Sequence, residues 1–481
     1  MTDSATYENL IRKISNKCEY WKEHLSEATE AAVGLVVPDF LELLGINQEN
    51  IYPQYPCSKG KKVDFAARIE PLQDSPEFAL KPEEPDILIE IKKPTVDFSD
   101  KSKKGYAATV KQLQGYLREQ KCKSVGYGII LNGIEIQLFR KHGMISYPIS
   151  SILSLDNRNI KSTISYLVEK IQTHEKARGT IITVWNNKGG VGKSTIAQSL
   201  GILLSEKQLY GNTSTSKILI IDYDHNQGDL TENCDLSVSE GKTKSLLELD
   251  MLGKLTDNNI LENIESSISS YTQPTSNRRP RFPFTVDILS ADLELNKLGI
   301  KYKEYFTAVS PFPLRQLCLK LSKVYDYIII DAPPNYEQSI FSREAVMAAD
   351  CILPIALYVN SNSIRNYAQF VRTHIADAQK ERADGGPYSL GIWFNRWKST
   401  WTDRQTKDCV KNQIEEPDEY YYQAELRRIF YKSHLGHEVL RRIPECADIA
   451  RSIMDAKGLP GVVRFIRARN ALNPLLKEFT D

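Results

Sequence analysis

The sequence predicts an α/β protein: a mostly parallel sheet covered by helices, preceded by a second, smaller α/β block. Three observations predict it. After residue 179, short apolar runs at 180–185, 218–223, 286–290, 327–331, 352–356 and 390–394 alternate with helix-like stretches. Such runs are buried on both faces, as the strands of a parallel sheet are. A Gly-rich segment sits between the first of these runs and the helix that follows it. Before residue 150, strand-like and helical patterns alternate on a smaller scale. A chain of 481 residues is long for one domain, so two or three are expected.

The elements follow in order. Helical periodicity runs over 27–44 and stops at Gly45. Strand-like runs occupy 63–69, 87–92, 125–131 and 134–139, and Asn132-Gly133 between the last two signals a tight hairpin. An amphipathic helix fits 107–119. Residues 157–177 read as a polar connecting helix that ends near Gly179. The organisation predicted is a first domain over 1–150, a connector over 151–178, and a second domain over 179–481. The polar stretch at about 238–282 reads as an insertion or lid. There are no internal repeats and no low-complexity tract.

Composition narrows the function classes. The formal net charge is +1, so no global field argues for nucleic acid, and local patches must carry that claim. The eight cysteines are scattered without a Cys-x-x-Cys pair, which leaves an Fe–S or zinc site little support. Scattered thiols and a start without signal-peptide character fit a reducing cytoplasm. No apolar run approaches the ~20 residues a membrane helix needs.

The segment Asn186-Asn187-Lys188-Gly189-Gly190-Val191-Gly192-Lys193-Ser194-Thr195 has the form of a phosphate-binding loop. Its glycines let backbone N–H groups converge on phosphate oxygens, and the next helix adds its positive end. Lys193 is placed to reach the β- and γ-phosphates, and the Ser194 hydroxyl to ligate Mg²⁺. Asn187 stands where the general pattern has its first glycine. Lys188 is a second lysine that the loop's own contacts do not need. The next strand ends in Asp222-Tyr223-Asp224, two carboxylates on one face at a strand end, where parallel sheets place ligands. One could order Mg²⁺-bound water and the other the attacking water. A third strand delivers Asp331 ahead of Ala332-Pro333-Pro334, a further magnesium carboxylate acting through water.

These motifs resemble those of the ParA/MinD partition and positioning ATPases, which carry a deviant Walker A loop. The resemblance spans about 179–481 and includes Trp393-Phe394-Asn395-Arg396, Ile443-Pro444-Glu445 and Gly458-Leu459-Pro460. It implies a P-loop NTPase fold that binds ATP and Mg²⁺ and dimerises with two nucleotides between the subunits. In its terms Lys188 crosses to the partner's nucleotide, Asp224 helps water attack, Asp222 lies near Mg²⁺, and Asn395 reads the adenine edge. Arg396 and Pro444 belong to the same nucleotide-binding set. The family often has Asp-x-Asp-Pro-Gln-Gly; here His225-Asn226 replaces the single proline, so the loop is one residue longer before Gln227.

The first block carries other chemistry. Glu90 and Lys92 sit at i and i+2 on an apolar strand, so they share a sheet face, and Asp64 lies on an earlier strand. Two acids and a lysine converging there would bind Mg²⁺ and activate water for phosphodiester attack. With Gln112 and Tyr116 on the following helix, this set resembles the PD-(D/E)xK nucleases, specifically the N-terminal domain of type I restriction motor subunits. That resemblance covers about 20–145 and implies a restriction-endonuclease-like fold. It also implies an upstream helical acid: Glu30 is the choice, with Glu27 one turn away as competitor. Asp86 rivals Asp64 but shares the strand of Glu90.

Basic residues enrich the last quarter: Arg427, Arg428, Lys432, Arg441, Arg442, Arg464, Arg467 and Arg469. They suit phosphate contacts to DNA or a solvated helix face equally. Trp397 and Trp401, flanking Lys398, could stack on bases but are read in preference as packing under a helix. Residues 462–466 are read as core, not as a membrane helix, because the segment is short and Pro474 interrupts it. The combined expectation is an ATP-dependent homodimer with a Mg²⁺-dependent endonuclease domain acting on DNA, in defence against or control of mobile DNA. The alternative is a non-cutting partition ATPase whose first block docks DNA or an unknown protein partner. No membrane is expected.

Overall fold

The computed structural model describes residues 4–69, 78, 83–99, 104–172, 178–205, 216–234, 236–238, 241–256, 259, 269–272, 285–299, 301–306, 311–357, 366–367, 369–382, 384–397, 430–432, 438–440, 442–444, 472–473, 475–476 and 479. The chain divides into two compact units, one built on residues 1–177 and the other on 178–378 with the strands after 387.

The first unit opens with helix α1 (Ser4–Glu23), which the sequence reading did not place. Its buried residues Ile11, Ile14, Cys18 and Trp21 recur every three or four positions, the stripe by which a helix packs on a core. The helix read over 27–44 is divided into α2 (Glu30–Gly34) and α3 (Val37–Leu43). Thr29 caps α2, its Oγ1 accepting the Ala32 N–H at 3.1 Å. Pro38 lies in the first turn of α3, where its missing N–H costs nothing, whereas inside one long helix it would break a hydrogen bond.

Seven strands form the first sheet. They are β1 (Ile51–Ser58), β2 (Lys61–Ala67), β3 (Ile87–Ile91), β4 (Tyr127–Leu131), β5 (Glu135–His142) and β6 (Ile145–Pro148) in that order, with β7 (Leu153–Ser154) also against β5. Only β3 and β4 run parallel. The crossover between them contains helix α4 (Lys104–Leu117). Tyr106, Val110, Leu113 and Leu117 of α4 are buried against Leu88, Ile130 and Phe139 of the sheet. Each such side chain removed from water contributes roughly 1.5–3 kcal/mol. The β4–β5 hairpin turns at Asn132-Gly133, with Gly133 at φ +87°. Asn132 Oδ1 accepts the N–H groups of Ile134 and Glu135 there. Helix α5 (Ile160–Gln172) closes the unit.

The second unit contains a nine-stranded sheet. Its strands are β8 (Thr180–Trp185), β9 (Ile218–Asp222), β10 (Ser269–Thr272), β11 (Thr285–Leu289), β12 (Tyr327–Asp331), β13 (Cys351–Leu357), β14 (Tyr388–Ser389), β15 (Trp393–Trp397) and β18 (Arg442–Pro444). Their order is β10-β11-β9-β12-β8-β13-β15-β18, with β14 beside the start of β13. Every pairing is parallel except β10 with β11. A separate hairpin pairs β16 (Phe430–Lys432) with β17 (Glu438–Leu440). Strands β8, β9 and β12 are buried at every residue, as their unbroken apolar runs demand.

Helix α6 (Lys193–Ser205) lies on the central strands. It lies so close that a Cβ at Gly201 would meet Ile220 Cδ1 at 2.6 Å. Short helix α7 (Asp229–Asn233) follows β9. The stretch read as an insertion contains helix α8 (Thr243–Met251) and β10, and β10 extends the sheet edge. The run read as a strand over 390–394 appears as β14 and β15, joined by Leu390-Gly391-Ile392 with Gly391 at φ +83°.

Candidate functional site

The phosphate-loop segment begins where β8 ends, at the carboxyl edge of the parallel sheet. Two asparagines fix its start. Asn186 donates from Nδ2 to the Ile355 carbonyl at 2.7 Å, and its Oδ1 accepts the Lys188 N–H at 2.8 Å. Asn187 Oδ1 accepts the N–H of Tyr336, just beyond Pro333-Pro334, at 2.9 Å. Asn187 is not among the described non-glycine residues with positive φ, so its position has no need of the usual glycine. Gly190 and Gly192 do need theirs, at φ +73° and +95°. Asn395 on β15 donates from Nδ2 to the Val191 carbonyl at 2.9 Å, and a Cβ at Gly192 would stand 2.3 Å from that nitrogen. Asn395 thus holds the loop backbone, a contact the sequence reading did not foresee. Lys188, Gly189 and Gly190 are exposed, Ser194 and Thr195 are half-buried, and Lys193 opens α6 buried.

Three aspartates gather at the ends of β9 and β12. The strand register pairs Asp331 directly with Asp222. Asp222 Oδ2 accepts the Thr231 hydroxyl at 2.6 Å and the Thr231 N–H at 2.9 Å, while Oδ1 accepts the Asp224 N–H at 3.2 Å. Asp224 Oδ1 accepts the Gln227 N–H at 3.2 Å, and the Gln227 side chain is exposed. Burial raises the pKa of all three carboxyls. For Asp331 the neighbouring Asp222 charge adds to the rise, while Lys193 and a hydrogen bond from Ser194 oppose it. Thr231 opposes it at Asp222, and Gln227 and Lys193 at Asp224.

Asp331 Oδ1 is buried with no hydrogen-bond partner among the described residues. An open glycine loop, a buried lysine and a hydroxyl beside three crowded, buried acids fit a Mg²⁺–nucleoside triphosphate. Thr231, nine residues after Asp222, was given no role from sequence; its hydroxyl beside a strand-end aspartate was the available signal. The side chains of Arg396 and Pro444 are not described, although their backbones lie in β15 and β18.

The first unit brings a second set together. Asp64 on β2 accepts the Ile91 N–H at 2.8 Å through Oδ2 and the Gln54 amide at 3.3 Å through Oδ1. Glu90 on β3 is 2 % exposed and ion-paired with Lys92, whose Nζ also donates to the Ile91 carbonyl at 3.0 Å. Burial pushes the Glu90 carboxyl up to about 7; Lys92 opposes the shift, and the charges of Asp64 and Glu30 add to it. Glu30, at the start of α2, is therefore within electrostatic reach of Glu90. Glu27 instead accepts the Tyr20 hydroxyl at 2.5 Å, and Asp86 accepts the Ile69 N–H at 3.0 Å. On α4, Gln112 donates to the Tyr116 hydroxyl at 2.9 Å, and the Tyr116 pKa is raised by burial and by Glu90 and Asp64.

No group of three or more His, Cys, Asp or Glu side chains among the described residues is arranged to hold a metal ion. A divalent ion at either site would take its remaining ligands from phosphate oxygens and water. Of the basic residues in the last quarter, Lys432 and Arg442 lie in described strands, and Arg427, Arg428, Arg441, Arg464, Arg467 and Arg469 lie outside the described residues, as do Trp401, Glu445 and 458–466.

Comparison with known proteins agrees with the geometry of the second unit. Residues 179–383 match the family model described as an AAA domain. The chromosome partitioning protein ParA of Myxococcus xanthus is 25% identical over 276 residues, which cover 57% of this chain and 81% of that protein. The sporulation initiation inhibitor protein Soj of Bacillus subtilis is 26% identical over 175 residues, covering 36% of this chain and 57% of that protein. Among solved structures, apo McdA of Cyanthece is 18% identical with a TM-score of 0.41, covering 62% of this chain and 98% of that one. Residues 179–383 form an α/β domain with a P-loop NTPase fold and a parallel sheet, similar to the ParA-type partition ATPases.

Proposed function

We propose that this protein binds and hydrolyses ATP with Mg²⁺ and that nucleotide occupancy drives its homodimerisation, as in a partition ATPase. The observation that carries this is the register-paired Asp222 and Asp331, buried at the mouth of the glycine loop beside Lys193. The loop from Gly189 to Gly192 holds phosphate through its N–H groups, and Lys193 reaches the β- and γ-phosphates. Ser194, Asp222 and Asp331 would hold the magnesium ion, which would supply charge neutralisation of the transferring phosphoryl group. Asp224 orients the attacking water. Lys188, exposed on the loop, completes the charge balance of a partner's nucleotide, so that hydrolysis requires pairing. Two matched relatives are named for chromosome partitioning, and non-specific phosphate contacts to DNA are the corresponding partner. Phosphate release by wild type and by Lys193→Ala tests the reading. Equal rates from the two would overturn it.

A second reading concerns the first unit: a Mg²⁺-dependent endonuclease with a restriction-endonuclease-like fold, serving defence against or control of mobile DNA. One observation favours it. Asp64, Glu90 and Lys92 converge as acid, acid and lysine, with Glu30 and Tyr116 in electrostatic reach. A docking module has no need of a buried glutamate whose charge is disfavoured. In this reading Asp64 and Glu90 hold the metal, Lys92 positions the attacking water, and Gln112 and Tyr116 line the strand path. ATP-driven pairing would then bring two nuclease units into one assembly. Plasmid incubated with Mg²⁺, with and without ATP, separates the readings. Intact plasmid under every nucleotide condition leaves the partition reading alone. Cleavage that survives Lys193→Ala unchanged keeps the nuclease and removes the ATP gate.

A further inference from the structure

His225 occupies the place where the resembled motif has proline, and it is buried. Its Nδ1 accepts the Asp292 N–H at 3.0 Å. Its ring meets Tyr223 edge-on at 4.6 Å and Phe341 at 4.9 Å. Nε2 is buried with no hydrogen-bond partner among the described residues. Burial depresses its pKa to about 3, so the ring is neutral, with Nδ1 the acceptor and Nε2 carrying the hydrogen.

An orphaned buried donor is destabilising, and a chain free to choose would put an apolar residue there. The compensation is where Nδ1 points. Asp292 is a junction: its carboxylate accepts the Glu294 and Leu295 N–H groups at the start of helix Leu293–Leu298, and the Lys244 N–H in the first turn of α8 at 2.8 Å. The preceding Ala291 donates its N–H to Thr231 Oγ1 at 2.8 Å, and Thr231 holds Asp222. The loop carrying Asp222 and Asp224 is thus tied at two points to the 291–292 turn. Phe341 is in the first turn of the helix that follows the Asp331 loop, so the imidazole is wedged between two nucleotide-facing segments.

We propose that His225 is a positioning residue for ATP hydrolysis, its Nδ1 pinning the Asp222–Gln227 loop to Asp292 so that Asp224 keeps its orientation. The inference rests on the ATPase reading of Asp224. Thr231 fixes the metal-side aspartate and His225 fixes the water-side one.

Two kinds of substitution test it. His225→Phe keeps the ring contacts and removes both the acceptor and the orphaned donor. His225→Leu does the same with less bulk, should the larger ring disturb folding. His225→Asn places an acceptor near the position of Nδ1. The apolar variants trade the orphaned Nε2–H for an unpaired Asp292 N–H and should melt close to wild type, lose about tenfold in kcat with KM for ATP within about twofold, and exchange the Asp292 amide faster without nucleotide. His225→Asn should recover most of kcat and of the amide protection. Wild-type turnover and exchange in the apolar variants would overturn the proposal, as would an Asn variant as slow as they are. An inactive wild type would defeat the ATPase reading and the role in turnover, while the exchange comparison still decides whether the clamp exists.

Discussion

The two acidic clusters solve the same electrostatic problem with different resources. In the first unit, Glu90 and its cation Lys92 are two residues apart on one strand, so the countercharge is built into local sequence. In the second, Asp222 and Asp331 come from strands 109 positions apart in the chain and meet only through parallel register. Their nearest cation, Lys193, arrives from a third segment. In both places burial raises carboxyl pKa values, so neither cluster is content as free anions. Active sites are where such destabilised groups gather. The local cluster keeps a standing ion pair; the long-range one leaves Asp331 Oδ1 without a hydrogen-bond partner among the described residues and depends more on what binds.

The largest effect expected is at the long-range cluster. Lys193→Ala should reduce kcat/KM for ATP by about a thousandfold or more, with secondary structure intact by circular dichroism. A residual rate within tenfold of wild type would put the phosphate contacts elsewhere. Next, on the nuclease reading of the first unit, Lys92→Ala should cut metal-dependent plasmid cleavage by about a hundredfold while leaving ATP turnover unchanged. Loss of both activities together would show that the clusters do not act as separate sites.

A smaller effect should appear in stability. The folded-state pKa of Glu90 is raised from 4.5 to about 7, so the folded protein holds a proton that the unfolded chain releases. The stability this lends is complete below about pH 4.5 and is lost as pH rises through about 7. Glu90→Gln should therefore be more stable than wild type by about 1–2 kcal/mol at pH 8 without metal, allowing for the lost Lys92 pair, and the difference should close near pH 5. Urea titrations at the two pH values measure it; a pH-independent difference would mean that Glu90 ionises as an ordinary carboxylate. The smallest effect is at Asn187→Ala, which removes the acceptor for Tyr336 N–H and should cost about 0.5–1.5 kcal/mol in the same assay.

The comparison also explains what was legible. Strands β8 and β12 have the ends expected of them because a strand buried on both faces writes itself as an unbroken apolar run. The parallel fold of the second unit follows from those runs. Strand β1 was missed because Pro53 and Pro56 argue against a strand, yet an edge strand tolerates both, and Gln54 between them takes φ +52°. Helix α1 was missed because its apolar stripe is narrow among many charges. At the sites, short-range spacing placed Glu90 beside Lys92. The pairing of Asp222 with Asp331 depends on register, which spacing does not encode. The contacts made by Asn395 and His225 are tertiary and fall on backbone groups that a sequence does not mark, whereas Thr231 also bonds the Asp222 carboxylate nine residues before it. Asn187 shows the reverse: the residue that departs from the general loop pattern makes a hydrogen bond to the neighbouring loop.

The central claim is that nucleotide occupancy and subunit pairing are one event, with Lys188 as the link. Molar mass by light scattering, with and without Mg²⁺ and a non-hydrolysable ATP analogue, tests it most directly. The account predicts that wild type doubles in mass with nucleotide, while Lys188→Ala stays monomeric yet still binds the analogue. A wild type whose mass does not change, or a Lys188→Ala variant that pairs as wild type does, would contradict it.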